Sequence, residues 1–343
     1  MTVRVGINGF GRIGRSFTRA MLAHGADAPV ELVAVNDPFG DSATMAFLLK
    51  HDSVGGTLPN DVAEADGGFS IDGTTIKKLE ERDPDQIPWG DNGVDVVIES
   101  TGLFTARGDA AKHLAGGAKR VVISAPSGDA DTMICMGVND GDFDPSAHTV
   151  ISNASRTTNC LAPLAKVLHD SFGIERGFIT TVHAYTSDQQ LQDQAVATRS
   201  GKPDLRRMRA AALSIIPNST GAARAIGLVL PELKGRLDGM ALRVPVPTGS
   251  ITDLVATLKR EASIEEVNAA YQAAAGNSSY RGVLEYSDEP LVSADIVGNP
   301  SSCIYSSVDT MVNGPTVKVL GWYDNEWGYS NRLIDLVSFI GAA

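Results

Sequence analysis

The sequence predicts an α/β protein in two domains: a doubly wound parallel sheet, then an α+β domain built on a mixed sheet. Three observations carry this. In the first 150 residues short apolar runs (VRVGING, ELVAVND, VDVVIES, KRVVIS, HTVISN) alternate with helical stretches, and that repetition builds a parallel sheet covered on both faces. Past residue 155 the runs lengthen into GFITTVHAYT, GMALRVPVP and SITDLVATLKR, the texture of a second, mixed sheet. Between the first strand and the first helix, Gly9, Gly11 and Gly14 spell Gly-x-Gly-x-x-Gly.

Taken in order, VRVGING is the first strand and RIGRSFTRAMLAHG an amphipathic helix. The strands of the first domain end at Asn8, Asp37, Ser100, Ser124 and Asn153, and ligands of such sheets bind at these carboxyl ends. A loop, SNAS, leads into the helix TTNCLAPLAKVLHDSF. The helix SIEEVNAAYQAAA opens on Ser263, with Glu266 three residues on, the spacing of a capping box. QDQAVATRSGKPD, 192–204, reads as an irregular exposed loop. WGYSNRLIDLVSFIGAA closes the chain as an amphipathic helix. The expected division is 1–155 for the first domain, with 325–343 packing back on it, and 156–324 for the second.

The 343 residues are 43% hydrophobic and 20% charged, enough to bury a sizeable core. A formal charge of -12 excludes a general nucleic-acid binder, which needs a basic surface. No apolar run reaches the roughly 18 residues of a membrane span, and MTVRVGINGFGRIG is not a signal peptide. Cys135, Cys160 and Cys303 lie far apart and form no metal-ligand spacing. They read as reduced thiols of a cytoplasmic protein.

The glycine motif lets a pyrophosphate approach the backbone at a helix N-terminus. Asp37 ends the second strand, 23 residues beyond Gly14. A carboxylate there accepts from ribose hydroxyls and repels a 2′-phosphate, so a Rossmann-type NAD site is expected.

The chain resembles the glyceraldehyde-3-phosphate dehydrogenase family over essentially its whole length. INGFGRIGR, AVNDPF, ERDP, ESTGLFT, VVISAPS, SNAS-TTNCLAP, TTVHAYT, DLRRMRAAA, STGAA, LVLPELKG, ALRVPVP, DIVGNP and WYDNEWGYSNR carry the likeness. The resemblance implies a homotetramer that oxidises a phosphorylated aldehyde with NAD and inorganic phosphate. In the family a cysteine after SNAS attacks the aldehyde, hydride passes to NAD, and phosphate cleaves the thioester. The resemblance implies that His183 lowers the cysteine pKa and then acts as acid and base. It assigns Thr186, Asp188 and Arg243 to one phosphate site, and Ser155, Thr157, Arg207, Thr220 and Gly221 to a second. It assigns Arg12 and Ile13 to the pyrophosphate turn. Arg82, Thr101, Gly102, Phe104 and Ser124 are implied to hold adenine, ribose and nicotinamide, and Asn325 the nicotinamide amide.

The chain departs from the family where it matters most. Arg156 stands at the nucleophile position, flanked without a gap by SNAS and TTNC and 27 residues before His183. A guanidinium stays protonated and is no nucleophile. At a helix start it opposes the macrodipole, at roughly 0.3–1 kcal/mol. It also disfavours a nearby cationic nicotinamide by Coulomb repulsion, and it is able to hold an anion. Cys160 lies one turn on, about 5.4 Å away, too far for a reacting atom. Asn218 replaces a usual threonine, the 192–204 loop is longer than usual, and HDSVGG lacks the usual histidine after Val54.

Three readings stay open from sequence. The first is a glyceraldehyde-3-phosphate dehydrogenase that has lost its nucleophile. The second is a divergent NAD-binding pseudoenzyme, or one with a different, non-thioester redox substrate. The third is an erythrose-4-phosphate dehydrogenase on the same scaffold.

Overall fold

The computed structural model describes residues 2–196 and 203–343. The chain forms two compact units, residues 1–155 with 329–343, and residues 156–328. The loop expected at 192–204 lies in part outside the described residues; 192–196 carries no regular structure.

The first unit is built on a nine-stranded sheet. Its order is Thr132–Met133, Val150–Ser152, Arg120–Ile123, Val96–Glu99, Val3–Asn8, Val30–Asn36, Thr74–Leu79, Gly68–Ile71 and Val62–Ala65. The first seven run parallel. The side chains of the central four, Arg120–Ile123, Val96–Glu99, Val3–Asn8 and Val30–Asn36, are almost wholly buried, as a sheet covered on both faces demands. Chain order reverses at Val3–Asn8, so the crevice at its carboxyl end is the switch point where ligands bind. The helix Arg12–Ala23 starts there. The last two strands are antiparallel and depart from the all-parallel expectation. They are four residues each and lack the apolar run of a covered strand: Val62–Ala65 is half exposed, and Gly68–Ile71 is largely buried but brings only two apolar side chains. The available signals were two Asp-Gly dipeptides: Asp72–Gly73, at φ 48° and 81°, turns Gly68–Ile71 into Thr74–Leu79, and Asp66–Gly67 joins Val62–Ala65 to Gly68–Ile71. The C-terminal helix Trp327–Gly341 contributes its last thirteen residues to this unit. Arg120 donates to the Ile340 carbonyl at 2.7 Å, and the Tyr329 hydroxyl donates to the Ala154 carbonyl at 3.0 Å.

The second unit holds a seven-stranded mixed sheet in the order Ile216–Ser219, Leu237–Val244, Ile174–Ala184, Ser250–Leu258, Thr316–Tyr323, Cys303–Asn313 and Leu284–Ser287. Leu237–Val244 and Ile174–Ala184 run parallel, which sets Arg243 beside His183 in register. The helix Arg156–Phe172 is buried along most of its length. It ends at Gly173, φ 73°, whose N–H bonds the His169 carbonyl at 2.8 Å, the left-handed glycine stop common to helices. Ser263 and Glu266 form the expected capping box on Ile264–Ala275.

Candidate active site

In the first unit a cavity of about 320 Å³ opens at the switch point. Gly9, Gly11, Asp37, Arg82, Thr101 and Phe104 line it, as do Asn8, Asn36, Pro38, Phe39, Glu81, Ser100 and Leu103. Gly9 sits at φ 92°, and a Cβ on it would meet the Thr101 backbone nitrogen at 2.8 Å. A Cβ on Gly14 would meet the Gly9 carbonyl at 2.7 Å, whereas Gly11 faces open space. The three glycines therefore serve the tight turn, the helix packing and the ligand approach separately. Asp37 is fixed by two amides, accepting from Phe10 at 2.8 Å and from Phe39 at 2.9 Å. The Arg82 guanidinium lies over the Phe39 ring at 5.4 Å.

Four predicted residues are placed beside the cavity rather than on its wall. Arg12 pairs with the Asp52 carboxylate. Ile13 is buried. Gly102 takes φ 68° in the turn after Thr101. Ser124 donates to the Glu99 carbonyl at 3.0 Å.

Residue-level reading missed a polar chain behind this wall. Glu99 is buried, and its carboxylate accepts from Asn8 at 2.6 Å, from the Thr101 amide at 2.9 Å and from the Thr101 hydroxyl. Trp89 donates to His113 Nδ1 at 3.0 Å. The His113 proton is therefore on Nε2, where it meets Glu99 at 3.0 Å. Asn36 donates to the Asn8 side chain at 2.8 Å. A glutamate after three apolar residues in DVVIES was the available clue, because a buried carboxylate demands such partners.

The turn before the second unit is strained. Ala154 holds φ 56° without being glycine, a conformation costing roughly 1–2 kcal/mol. Ser152 Oγ accepts its amide at 3.1 Å. Ser155 is half-buried.

In the second unit Arg156 is the first residue of the helix Arg156–Phe172. The next side chain, Thr157, is buried and shares a 2.9 Å hydrogen bond with the Tyr323 hydroxyl, which also meets the Thr181 hydroxyl at 2.8 Å. Thr157 thus ties the helix start to the sheet through its hydroxyl. Tyr323 packs edge-on against His183, ring centres 5.9 Å apart. His183 is buried and donates from Nδ1 to the Ala184 carbonyl at 2.7 Å, leaving Nε2 as the acceptor. Burial first, then the charges of Arg243 and Arg156, push its pKa down to about 3. His183 is therefore a neutral imidazole at any working pH.

Arg243 donates to the Thr186 hydroxyl at 2.7 Å and to the Ala184 carbonyl at 3.3 Å. The Thr186 hydroxyl in turn donates to the Asp188 carboxylate, and Asp188 pairs with Arg207 at 2.9 Å. The two phosphate groups expected from sequence are thus joined: Arg207 belongs to the Thr186–Asp188–Arg243 cluster. Thr220 and Gly221 sit at the start of the helix Ala222–Val229, where Thr220 accepts the Ala222 amide at 3.2 Å. Asn218 lies in the edge strand opposite Ala241. Asn325 is buried, and its Oδ1 accepts from Ser250 at 2.8 Å and from Thr248 at 3.4 Å, which orients its amide.

Cys135, Cys160 and Cys303 are all buried free thiols. Cys160 Sγ contacts the Gly321 carbonyl at 3.4 Å, inside the core. No His/Cys/Asp/Glu cluster among the described residues fits a metal, and no helix among them is long and apolar enough to cross a membrane.

A doubly wound unit with a glycine-cradled crevice, and a mixed-sheet unit with a buried neutral histidine among arginines, define an NAD-linked oxidoreductase. Residues 3–107 match the glyceraldehyde 3-phosphate dehydrogenase NAD binding domain, and residues 155–325 match the C-terminal domain of the same family. The chain is 60% identical to glyceraldehyde-3-phosphate dehydrogenase 2 of Streptomyces arenae over 343 residues, covering 100% of both chains. It is 59% identical to the Streptomyces coelicolor enzyme over 342 residues and 58% identical to the Mycolicibacterium smegmatis enzyme over 346, each covering 99% of both chains. The chain belongs to the glyceraldehyde-3-phosphate dehydrogenase family, and NAD is its cofactor.

Proposed function

We propose that this chain keeps the NAD and phosphate sites of a glyceraldehyde-3-phosphate dehydrogenase and lacks its covalent step. The carrying observation is Arg156 at the head of the helix Arg156–Phe172, where the family resemblance implies the nucleophile. Bound NAD would supply a hydride acceptor. Gly9 and Gly11 admit its pyrophosphate, Asp37 takes the adenosine ribose, and Arg82 with Phe39 borders the adenine.

In the second unit, Arg243, Thr186 and Arg207 hold phosphate groups, with Asp188 fixing their geometry. His183 Nε2 is the base available there. A thiol at position 156 would give that base a proton to take. A guanidinium carries no electron pair for the aldehyde carbon, so no carbon–sulfur bond forms and phosphate has no thioester to cleave.

The assembly is a homotetramer of a cytoplasmic protein. The outer face of the mixed sheet supports self-association: Phe178, Val255 and Met240 are 72%, 37% and 40% exposed. Phe178 stands directly opposite Val255. An apolar patch of this kind marks an interface, and light scattering reads the assembly mass.

The test is NADH formation from glyceraldehyde 3-phosphate, NAD and phosphate. The natural chain is expected at background and Arg156→Cys faster by on the order of 10⁴-fold, the scale of restoring a nucleophile. Equal rates for the two proteins would refute the proposal.

A further inference from the structure

We propose that Glu99, buried behind the wall of the switch-point cavity, is the positioning residue of that cavity. It receives a one-way chain of hydrogen bonds from Trp89 through His113, and so sets Asn8 and Thr101 on the wall before the cofactor arrives. The proposal rests on the reading that NAD occupies this cavity.

The sense of the chain is fixed from both ends. An indole nitrogen only donates. Trp89 donates to His113 Nδ1 at 3.0 Å, so the imidazole keeps its proton on Nε2, which meets Glu99 Oε2 at 3.0 Å. Trp89, His113 and Glu99 are 0%, 0% and 1% exposed, so bulk water offers none of them another partner. At the opposite end, Asn36 Oδ1 accepts the Glu81 amide at 2.8 Å, and Asn36 Nδ2 donates to Asn8 Oδ1 at 2.8 Å. The Asn8 amide is thereby held with Nδ2 toward Glu99 Oε2, at 2.6 Å. Oε1 accepts from the Thr101 amide at 2.9 Å and from the Thr101 hydroxyl. That hydroxyl in turn accepts the Leu103 amide at 2.9 Å. Each carboxylate oxygen therefore takes two donors. Three of the four, on Asn8, His113 and the Thr101 backbone, have no way to become acceptors where they stand.

The chain reaches the ligand through the residues it holds. Asn8, Asn36, Glu81, Thr101 and Leu103 all line the cavity, and each is bonded into it. An amide at position 99 would keep the shape of the carboxylate and lose half of its acceptors. Whichever way it faced, its NH2 group would meet donors: Asn8 and His113 on one side, Thr101 on the other. A buried donor left facing a donor carries its full desolvation cost, so the wall residues would shift to find partners. A wall that is set in advance binds more tightly than one that must be re-formed on binding. Glu99 thus acts on the cofactor without touching it, and His113 and Trp89 act on Glu99.

Calorimetric titration of the full chain with NAD tests this, with cooperative thermal unfolding as the check that each variant is folded. Glu99→Gln should weaken NAD by about tenfold or more, the worth of a hydrogen bond to a charged group. His113→Leu, which removes one of the four donors, should weaken NAD by about fivefold. His113→Gln is able to accept from Trp89 and donate to Glu99, and should restore affinity to within about twofold of the natural chain. Combining Glu99→Gln with His113→Leu should cost no more than about twofold beyond Glu99→Gln alone, because members of one network are not additive. A purely structural role predicts lower unfolding temperatures with NAD affinity intact. That result for Glu99→Gln, or losses that multiply in the double variant, overturns the proposal. If Glu99→Gln does not fold, the two His113 variants decide, and equal NAD affinity for them overturns it. Gly11→Val separates this from the reading beneath it. A Cβ at Gly11 meets no protein atom within 4 Å, so the side chain takes up ligand space alone. Affinity lowered by Gly11→Val and not by Glu99→Gln overturns the positioning role only; affinity unchanged in Gly11→Val overturns the cavity reading and the proposal with it.

Discussion

The two units build their sites by opposite means. In the first, a glycine turn and strand ends put backbone on the ligand wall, braced by a buried carboxylate that holds Asn8 and Thr101 in place. In the second, side chains from five separated stretches meet, at Thr157, His183 to Asp188, Arg207, Arg243 and Tyr323. A backbone-built site is defined by what fits, so one substitution blocks it. A side-chain-built site is defined by what each group carries, so one substitution changes its chemistry and leaves the fold alone. Arg156 opens its helix as ordinary helical backbone.

The sharpest way to break this contrast is Gly9→Ala. The new Cβ would meet Thr101 backbone atoms at 2.8 and 2.9 Å, at a φ of 92° that L-residues rarely adopt. NAD affinity should fall by on the order of 100-fold, the equivalent of strain within the usual range for such positions. Binding of inorganic phosphate in the second unit should persist. Calorimetry with both ligands decides it; unchanged NAD affinity would mean that the turn is not where the pyrophosphate lies.

The next effect belongs to His183. Its folded pKa is about 3 against an ordinary 6.5, so between these values the unfolded chain binds the extra proton. Stability contributed by the neutral ring is therefore complete above pH 6.5 and falls as pH drops toward 3. From pH 6.5 to about 4.5 the loss is roughly 2–3 kcal/mol. Urea unfolding of the natural chain and His183→Gln across this range should show the natural chain losing that much more. Parallel pH profiles would mean that the ring is not desolvated among cations.

What the sequence showed follows the same divide. Gly9, Gly11, Gly14 and Asp37 are contiguous enough, and stereochemically demanding enough, to be read without any relative. Five of the parallel strands were legible because they are apolar almost throughout; Thr74–Leu79, Thr132–Met133 and the edge hairpin 62–71 were not, because short or part-exposed strands look like loops. The capping box at Ser263 was legible because both partners lie within one turn. In the second unit each residue is unremarkable alone: a lone His183 in an apolar strand is commonly structural, and a lone Arg207 is commonly solvated. Only the resemblance gathered them, and it did so residue by residue. It divided Arg207 from Asp188, which the structure pairs, and passed over Tyr323, whose hydroxyl ties Thr157 to Thr181. Long-range side-chain partnerships of this kind leave no local pattern.

The smallest effect sharpens the backbone side of the contrast. Asp37 is the charged side chain read as a cofactor contact from the motif alone, where Arg12 and Arg82 came from the resemblance, and its oxygens already accept from the Phe10 and Phe39 amides. A carboxylate oxygen has two lone pairs, so both bonds are compatible with accepting ribose hydroxyls. Asp37→Asn separates the roles. The amide keeps one acceptor oxygen, presents an N–H group to the other backbone donor, and removes the negative charge that repels a 2′-phosphate. NAD affinity should weaken by about tenfold, the worth of one hydrogen bond to a charged group. NADP affinity should weaken less or improve, so the ratio between the cofactors narrows. Were both to weaken equally, Asp37 would be a brace for the turn and nothing more, and cofactor choice would lie with another group on the cavity wall.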